Sequence, residues 1–170
     1  MNDALAWGDI MAKILFLLFL FAPCLCLADQ KADFVLVKKA EYRLFLMKEG
    51  EVIEELQVVF GENPEGHKKK QGDKRTPEGA YILDHKLEDS AFYKAIRISY
   101  PNEKDVANAE AMGVNPGGRI MIHGQRNGYG HLGHIMQQYN WTSGCIAVTN
   151  KDMDIIWNAV DEGTPIAILP

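Results

Sequence analysis

The chain is 170 residues long, 47% hydrophobic and 24% charged, the size and make-up of one globular domain. Eighteen basic against 23 acidic residues give a net charge of −5, without the cationic surplus that a nucleic-acid binder needs to neutralise phosphates. The supply of aliphatic and aromatic side chains, with no low-complexity tract, excludes a disordered chain.

Residues 14–28 form an uncharged apolar run behind Lys13, closing on Cys26-Leu27-Ala28. A spanning helix takes about 20 such residues and a signal-peptide core roughly 7 to 15. Residues 1–28 are therefore expected to be a signal peptide cleaved after Ala28. Asp3 and Asp9 do not suit a positively charged leader, so Met11 is the expected true start. A lipid anchor at Cys24 is the weaker reading, because Pro23 stands where lipoprotein processing wants a small residue. Residues 29–170 remain as one domain with no membrane span, and Cys145 as its lone cysteine. An unpaired thiol in an exported protein is either buried and inert or reactive by design.

Residues 33–38 are a short apolar run fit for a buried strand. Residues 41–48 and 51–60, around Glu49-Gly50, predict a hairpin. Residues 61–75 read as a long exposed loop. Its Lys68, Lys69, Lys70, Lys74 and Arg75 form either a solvated face or a patch that steers carboxylates. Residues 79–84 and 95–100 predict strands, and 103–112 a helix stopped by Gly113 and the breaker Pro116-Gly117-Gly118. Residues 119–123 predict a short strand. Thr149-Asn150 caps a helix to Val160, with Asp152 and Asp154 as charges in its first turn, and 165–169 close as a strand. Strands dominate, and none alternates with a crossover helix. The fold class is mainly β (α+β) with peripheral helices.

The chemistry centres on Cys145, in Thr142-Ser143-Gly144-Cys145-Ile146-Ala147, and on His123, in Ile120-Met121-Ile122-His123-Gly124. A thiolate is the nucleophile of thiol catalysis, and a neighbouring imidazolium lowers its pKa. Gly144 lets the amides of Gly144 and Cys145 converge on one spot, where they could hold an oxyanion. On residue types alone a buried structural cysteine fits equally well. His131 and His134 could join the pair as a zinc site, but the spacing matches no standard ligand set, so no metal and no cofactor are expected. His67 and His85 read as surface residues, and Trp141 as packing under the cysteine turn.

Ile-Met-Ile-His-Gly followed by Thr-Ser-Gly-Cys-Ile closely resembles the L,D-transpeptidase (YkuD-type) family. Gly72-Asp73-Lys74-Arg75-Thr76-Pro77-Glu78-Gly79 resembles that family's Gly…Thr-Pro-x-Gly lead into a strand. The resemblance covers roughly residues 33–169. It implies the family's β-sandwich catalytic domain, with Cys145 as nucleophile, His123 as general base and the Gly124 carbonyl orienting the imidazole. It further implies Ser143 and Gly144 as the oxyanion turn and Thr142 as a substrate-side hydroxyl. The stretch between His123 and Thr142, slightly longer than the family's usual spacing, carries Arg126, Tyr129, His131 and His134 and is expected to form a lid or rim beside the cleft. The implied partners are peptidoglycan stem peptides, in the periplasm, for a monomeric enzyme that forms a Cys145 thioester, releases D-alanine and passes the acyl group to an amine.

Two departures bear on the reaction. Ser143 stands where the family commonly has His, and Ala147 where it commonly has Arg. The Gly-Cys-x-Ala-Val-Thr-Asn form resembles a branch in which a member hydrolyses a link between peptidoglycan and a lipoprotein. Hydrolysis of the same class of bonds, or a catalytically idle wall-binding module, are therefore the alternatives, and a wall-linked lipoprotein joins the expected partners.

Overall fold

A computed structural model describes residues 31–170; the expected signal peptide, including the Met11 start and Cys24, lies outside them. The described chain runs β1 (Phe34–Lys38), β2 (Arg43–Lys48), β3 (Glu51–Gln57), β4 (Gly79–Ser90), β5 (Tyr93–Ile98), α1 (Glu103–Ala111), β6 (Met121–His123), a 3-10 turn (Gly130–Leu132), α2 (Gly133–Met136), β7 (Ile146–Ala147), α3 (Asn150–Ala159) and β8 (Thr164–Leu169).

All eight strands belong to one sheet, in the order β3-β2-β1-β8-β4-β5-β6-β7. Pairing is antiparallel except for β1 with β8 and β6 with β7. The chain leaving β3 bridges across to β7, Val59 opposite Ala147 and Gly61 opposite Thr142, so the sheet curls until its two ends meet. The expected sandwich takes this form: two faces of one curled sheet with the core between them. Alternation decides which side chains enter it. Val35 and Val37 of β1, Leu44 and Leu46 of β2, and Ile166 and Ile168 of β8 point inward and are buried. Met153 and Ile156 of α3 seal the same cluster over Ile96 and Ile122.

The β2–β3 hairpin turns on Glu49 and Gly50, both at positive φ, as a tight two-residue turn demands. Thr149 caps α3 as its sequence announces, its hydroxyl accepting from the Asp152 amide at 3.1 Å. Asp154 is not a first-turn charge: it lies in the second turn, where it takes Lys94 Nζ at 2.7 Å and the Tyr93 hydroxyl at 3.1 Å. Strand β4 runs to Ser90, beyond the expected 84, and β5 starts at Tyr93. Register shifts after Leu83 and Leu87 break the alternation there, so residues 84–90 carry no periodic signal although they pair with β5.

Residues 61–75 are not an open loop. Gly61 and Lys68 are buried, and Asp73 gathers the segment by accepting from Lys68 Nζ (2.8 Å) and the amides of Lys69 (2.7 Å), Lys70 (3.0 Å) and Arg75 (3.1 Å). Burial alone would raise the Asp73 pKa; these four donors outweigh it and hold the group at about 2. His67 is also no free surface residue. Its ring accepts from the Glu78 amide at 3.0 Å and meets the buried Asp105 of α1 at 3.0 Å.

Candidate active site

Strand β6 carries His123 at its last position, where the side chain is buried. The carbonyl of Gly124 can only accept, so the 2.7 Å contact with His123 Nδ1 fixes that nitrogen as the donor and leaves Nε2 as the acceptor. The Phe92 ring lies 4.7 Å from the imidazole and the Trp141 ring meets it edge-on at 5.6 Å. Behind it, Asn150 Oδ1 accepts from the Gln125 amide at 2.8 Å, tying the turn after His123 to the start of α3.

β7 pairs parallel with β6, His123 opposite Ala147, which brings the turn before β7 alongside the histidine. In that turn the Thr142 hydroxyl donates to the Cys145 carbonyl at 2.8 Å and accepts from the Gly144 amide at 3.1 Å. Gly144 adopts φ +132, and a Cβ there would sit 2.7 Å from the Arg75 carbonyl, so no other residue fits. Cys145 then shares a cavity of about 460 Å³ with His123, Phe92, Trp141, Arg119 and Ser143. Its Sγ donates to the Arg119 carbonyl at 3.7 Å.

Burial pulls the His123 pKa down, against the raising effect of the Gly124 carbonyl. Burial also pushes the Cys145 thiol up, against the Met121 amide and the charges of Lys68 and Arg119. Both directions favour the uncharged forms, whereas the sequence reading expects an imidazolium beside a thiolate.

Cys145, His123, Gly124, Thr142, Ser143 and Gly144 come together. The amide of Gly144 is already engaged by Thr142, which leaves the amides of Ser143 and Cys145 as the donors of that turn with no hydrogen-bond partner among the described residues. Arg126 and Tyr129 do not reach this cavity. They line a neighbouring one of about 500 Å³, beyond a wall made by Phe92 and Trp141. His131 and His134 lie exposed on the 3-10 turn and α2, and among the described residues no three His, Cys, Asp or Glu side chains cluster as metal ligands. Ala147 is fully buried, its amide and carbonyl both bonded to Val59 and its carbonyl also taking Gln137 Nε2 at 3.3 Å. An arginine there would have no room.

Two residues of the cleft escape the sequence reading. Phe92 sits in the turn of the β4–β5 ribbon, whose extent the bulges hide. Arg119 follows Gly117 and Gly118 at φ +59, and its one visible signal is a charged residue placed directly after a glycine pair.

A buried imidazole with one nitrogen fixed thus shares a cavity with the one thiol of the described residues, at the end of a curled mixed sheet. Residues 32–168 match the L,D-transpeptidase catalytic domain (YkuD), and the chain belongs to that family, whose members act on peptidoglycan. It is 34% identical over 97 residues to YafK of Escherichia coli K12, provisionally named an L,D-transpeptidase, a match covering 56% of this chain and 32% of that one. Among solved structures it resembles the helical cell shape determining protein Pgp2 of Campylobacter jejuni, with TM-score 0.60 and 26% identity over 79% of this chain and 46% of that one. The L,D-transpeptidase of Xylanimonas cellulosilytica shares the fold at TM-score 0.53 and 14% identity, over 82% of this chain and 61% of that one. The chain thus spans about a third of YafK and about half of Pgp2. Among the described residues no helix is long and apolar enough to cross a membrane.

Proposed function

We propose that this protein is a cysteine-dependent L,D-transpeptidase acting on peptidoglycan stem peptides in the periplasm, where residues 1–28 direct it as a cleaved signal peptide. The observation that carries this reading is the shared cavity of Cys145 and His123, with Nδ1 committed to the Gly124 carbonyl. Nε2 takes the thiol proton as Sγ attacks the carbonyl of the third-position diamino acid of a stem tetrapeptide. The amides of Ser143 and Cys145 serve the oxyanion, since the Gly144 amide is held by Thr142. Collapse expels D-alanine, protonated by His123, and leaves a Cys145 thioester. The amine of a second stem peptide attacks the thioester, forming the crosslink and freeing the thiol.

The test is incubation with a disaccharide-tetrapeptide, read by mass spectrometry beside Cys145→Ala. Loss of D-alanine with dimers joined through their third residues, absent in the variant, is the expected result. Tripeptide without dimers would replace transfer by hydrolysis, the reading that Ala147 favours. If a free stem peptide is untouched but a wall-linked lipoprotein is released, the enzyme is an amidase for that link. No turnover of either would leave a wall-binding module.

A further inference from the structure

Arg119 stands at the boundary of two cavities. One is the cleft of Cys145; the other, of about 540 Å³, is lined by Lys68, Gln71, Asn115, Gly117, Arg119 and Ser143 among others, with no acidic residue in its wall. The two cations there are unlike. Lys68 is buried and spent, its ammonium 2.8 Å from Asp73 and 3.0 Å from the Lys70 carbonyl. Arg119 is exposed and, among the described residues, joins no ion pair. Its backbone meanwhile contacts the thiol through the carbonyl that accepts from Sγ. A non-glycine residue at φ +59 costs conformational energy, and such residues persist where the surroundings hold them for a task. Here the turn after Gly117-Gly118 gives one residue both a carbonyl against the thiol and an unpaired guanidinium on the border between a cavity without acids and the thiol's own cavity, whose wall holds Asp89 as its one carboxylate. A planar fork of N–H donors is matched by a carboxylate.

Resting on the acyl-transfer reading, we propose that Arg119 binds a carboxylate of the peptide acyl donor and so sets the donor's position over Cys145. The donor brings two candidate groups, the side-chain carboxylate of its third residue and the terminal carboxylate of D-alanine. Both present the same chemistry to the guanidinium.

The first experiment needs no natural substrate. Cys145 is alkylated with anionic iodoacetate and with neutral iodoacetamide, each followed by intact-mass spectrometry, in the wild type, Arg119→Asn and Arg119→Lys. Asparagine tolerates positive φ, so the turn is kept. The expected result is an iodoacetate-to-iodoacetamide rate ratio that falls about tenfold in Arg119→Asn, recovers in part in Arg119→Lys, and shrinks with added salt. A ratio that stays the same in all three proteins overturns the proposal. Should Arg119→Asn lose iodoacetamide reactivity as well, the Arg119→Lys and salt comparisons decide it. The second experiment uses tetrapeptides amidated at one carboxylate or the other. KM for the parent peptide is expected to rise about tenfold in Arg119→Asn with kcat little changed, and one amidated peptide to lose that dependence, which identifies the group bound. Dependence on Arg119 in neither form overturns the assignment. A wild type that turns over no peptide defeats the acyl-transfer reading, while the alkylation ratio still reports on Arg119.

Discussion

On one side of Cys145, residues 61–76 press against the cysteine turn through buried contacts; on the other, residues 126–140 cover the flank with a 3-10 turn and a single helical turn. The first segment is held by a buried carboxylate, by the Gly61 amide on the Thr76 hydroxyl at 3.2 Å, and by glycine backbones in van der Waals contact. The second leaves Tyr129, Ile135 and Tyr139 with large parts of their side chains in solvent. One wall is therefore built to fix the thiol in place. The other is tied to the rest of the fold at Asn127, Gln137 and Asn140, and between those ties it presents Tyr129, Ile135 and Tyr139 to solvent. The Thr-Pro-x-Gly motif gains a physical meaning from this: Thr76 anchors Gly61, and Gly61 abuts Gly144.

The sharpest way to break the rigid wall is Gly61→Ala. A Cβ at Gly61 would lie 2.0 Å from the Lys74 carbonyl and 3.0 Å from Gly144 Cα, distances that only backbone movement can relieve. The expected cost is about 3 kcal/mol of stability, with slowed Cys145 alkylation as the turn shifts. Urea unfolding together with iodoacetamide kinetics checks both parts. A variant as stable and as reactive as the wild type would show that the loop does not brace the cysteine.

A gentler break uses the charge within the same wall. Asp73 is held at about 2 in the folded protein, below the ordinary value for an aspartate. A carboxyl with a depressed folded pKa adds stability above its unfolded pKa, near 3.8, and loses it as pH falls through about 2. Asp73→Asn is expected to cost roughly 1 to 2 kcal/mol at pH 7, after allowance for screening by solvent. The gap between variant and wild type should narrow between about pH 4 and pH 2. Denaturation midpoints at pH 7 and pH 2.5 give the comparison, and a gap that persists undiminished in acid would mean that the ion pair is not its source.

The same contrast explains what the sequence discloses. Alternation over β1 and β2 reports which face is buried, because each strand there has one core side, and the Thr149 cap is a local bond between neighbours. Cys145 and His123 are legible because short motifs hold them and adjacent parallel strands bring the two together. The compaction of residues 61–76 is not legible, since Asp73 bonds to amides, which carry no residue-type signature. His67 meets Asp105 across 38 positions of chain, beyond any periodic pattern. Phe92 hides behind bulges, and Arg119 looks like any surface arginine until its backbone angle and its two cavities are seen.

The open wall gives the smallest effect and the cleanest contrast. Tyr129 and Ile135 are about half exposed, and neither lines the cavity of Cys145. Truncating a side chain already in water removes little buried area, so Tyr129→Ala and Ile135→Ala should each change stability by no more than about 0.5 kcal/mol. Iodoacetamide should modify Cys145 at the wild-type rate in both, because Phe92 and Trp141 stand between the Tyr129 cavity and the thiol, and Ile135 lines neither cavity. If this segment receives part of a large substrate, turnover of intact peptidoglycan falls in Tyr129→Ala while turnover of the isolated tetrapeptide holds. Equal losses on the two substrates would instead place Tyr129 inside the reaction centre and erase the distinction between the walls.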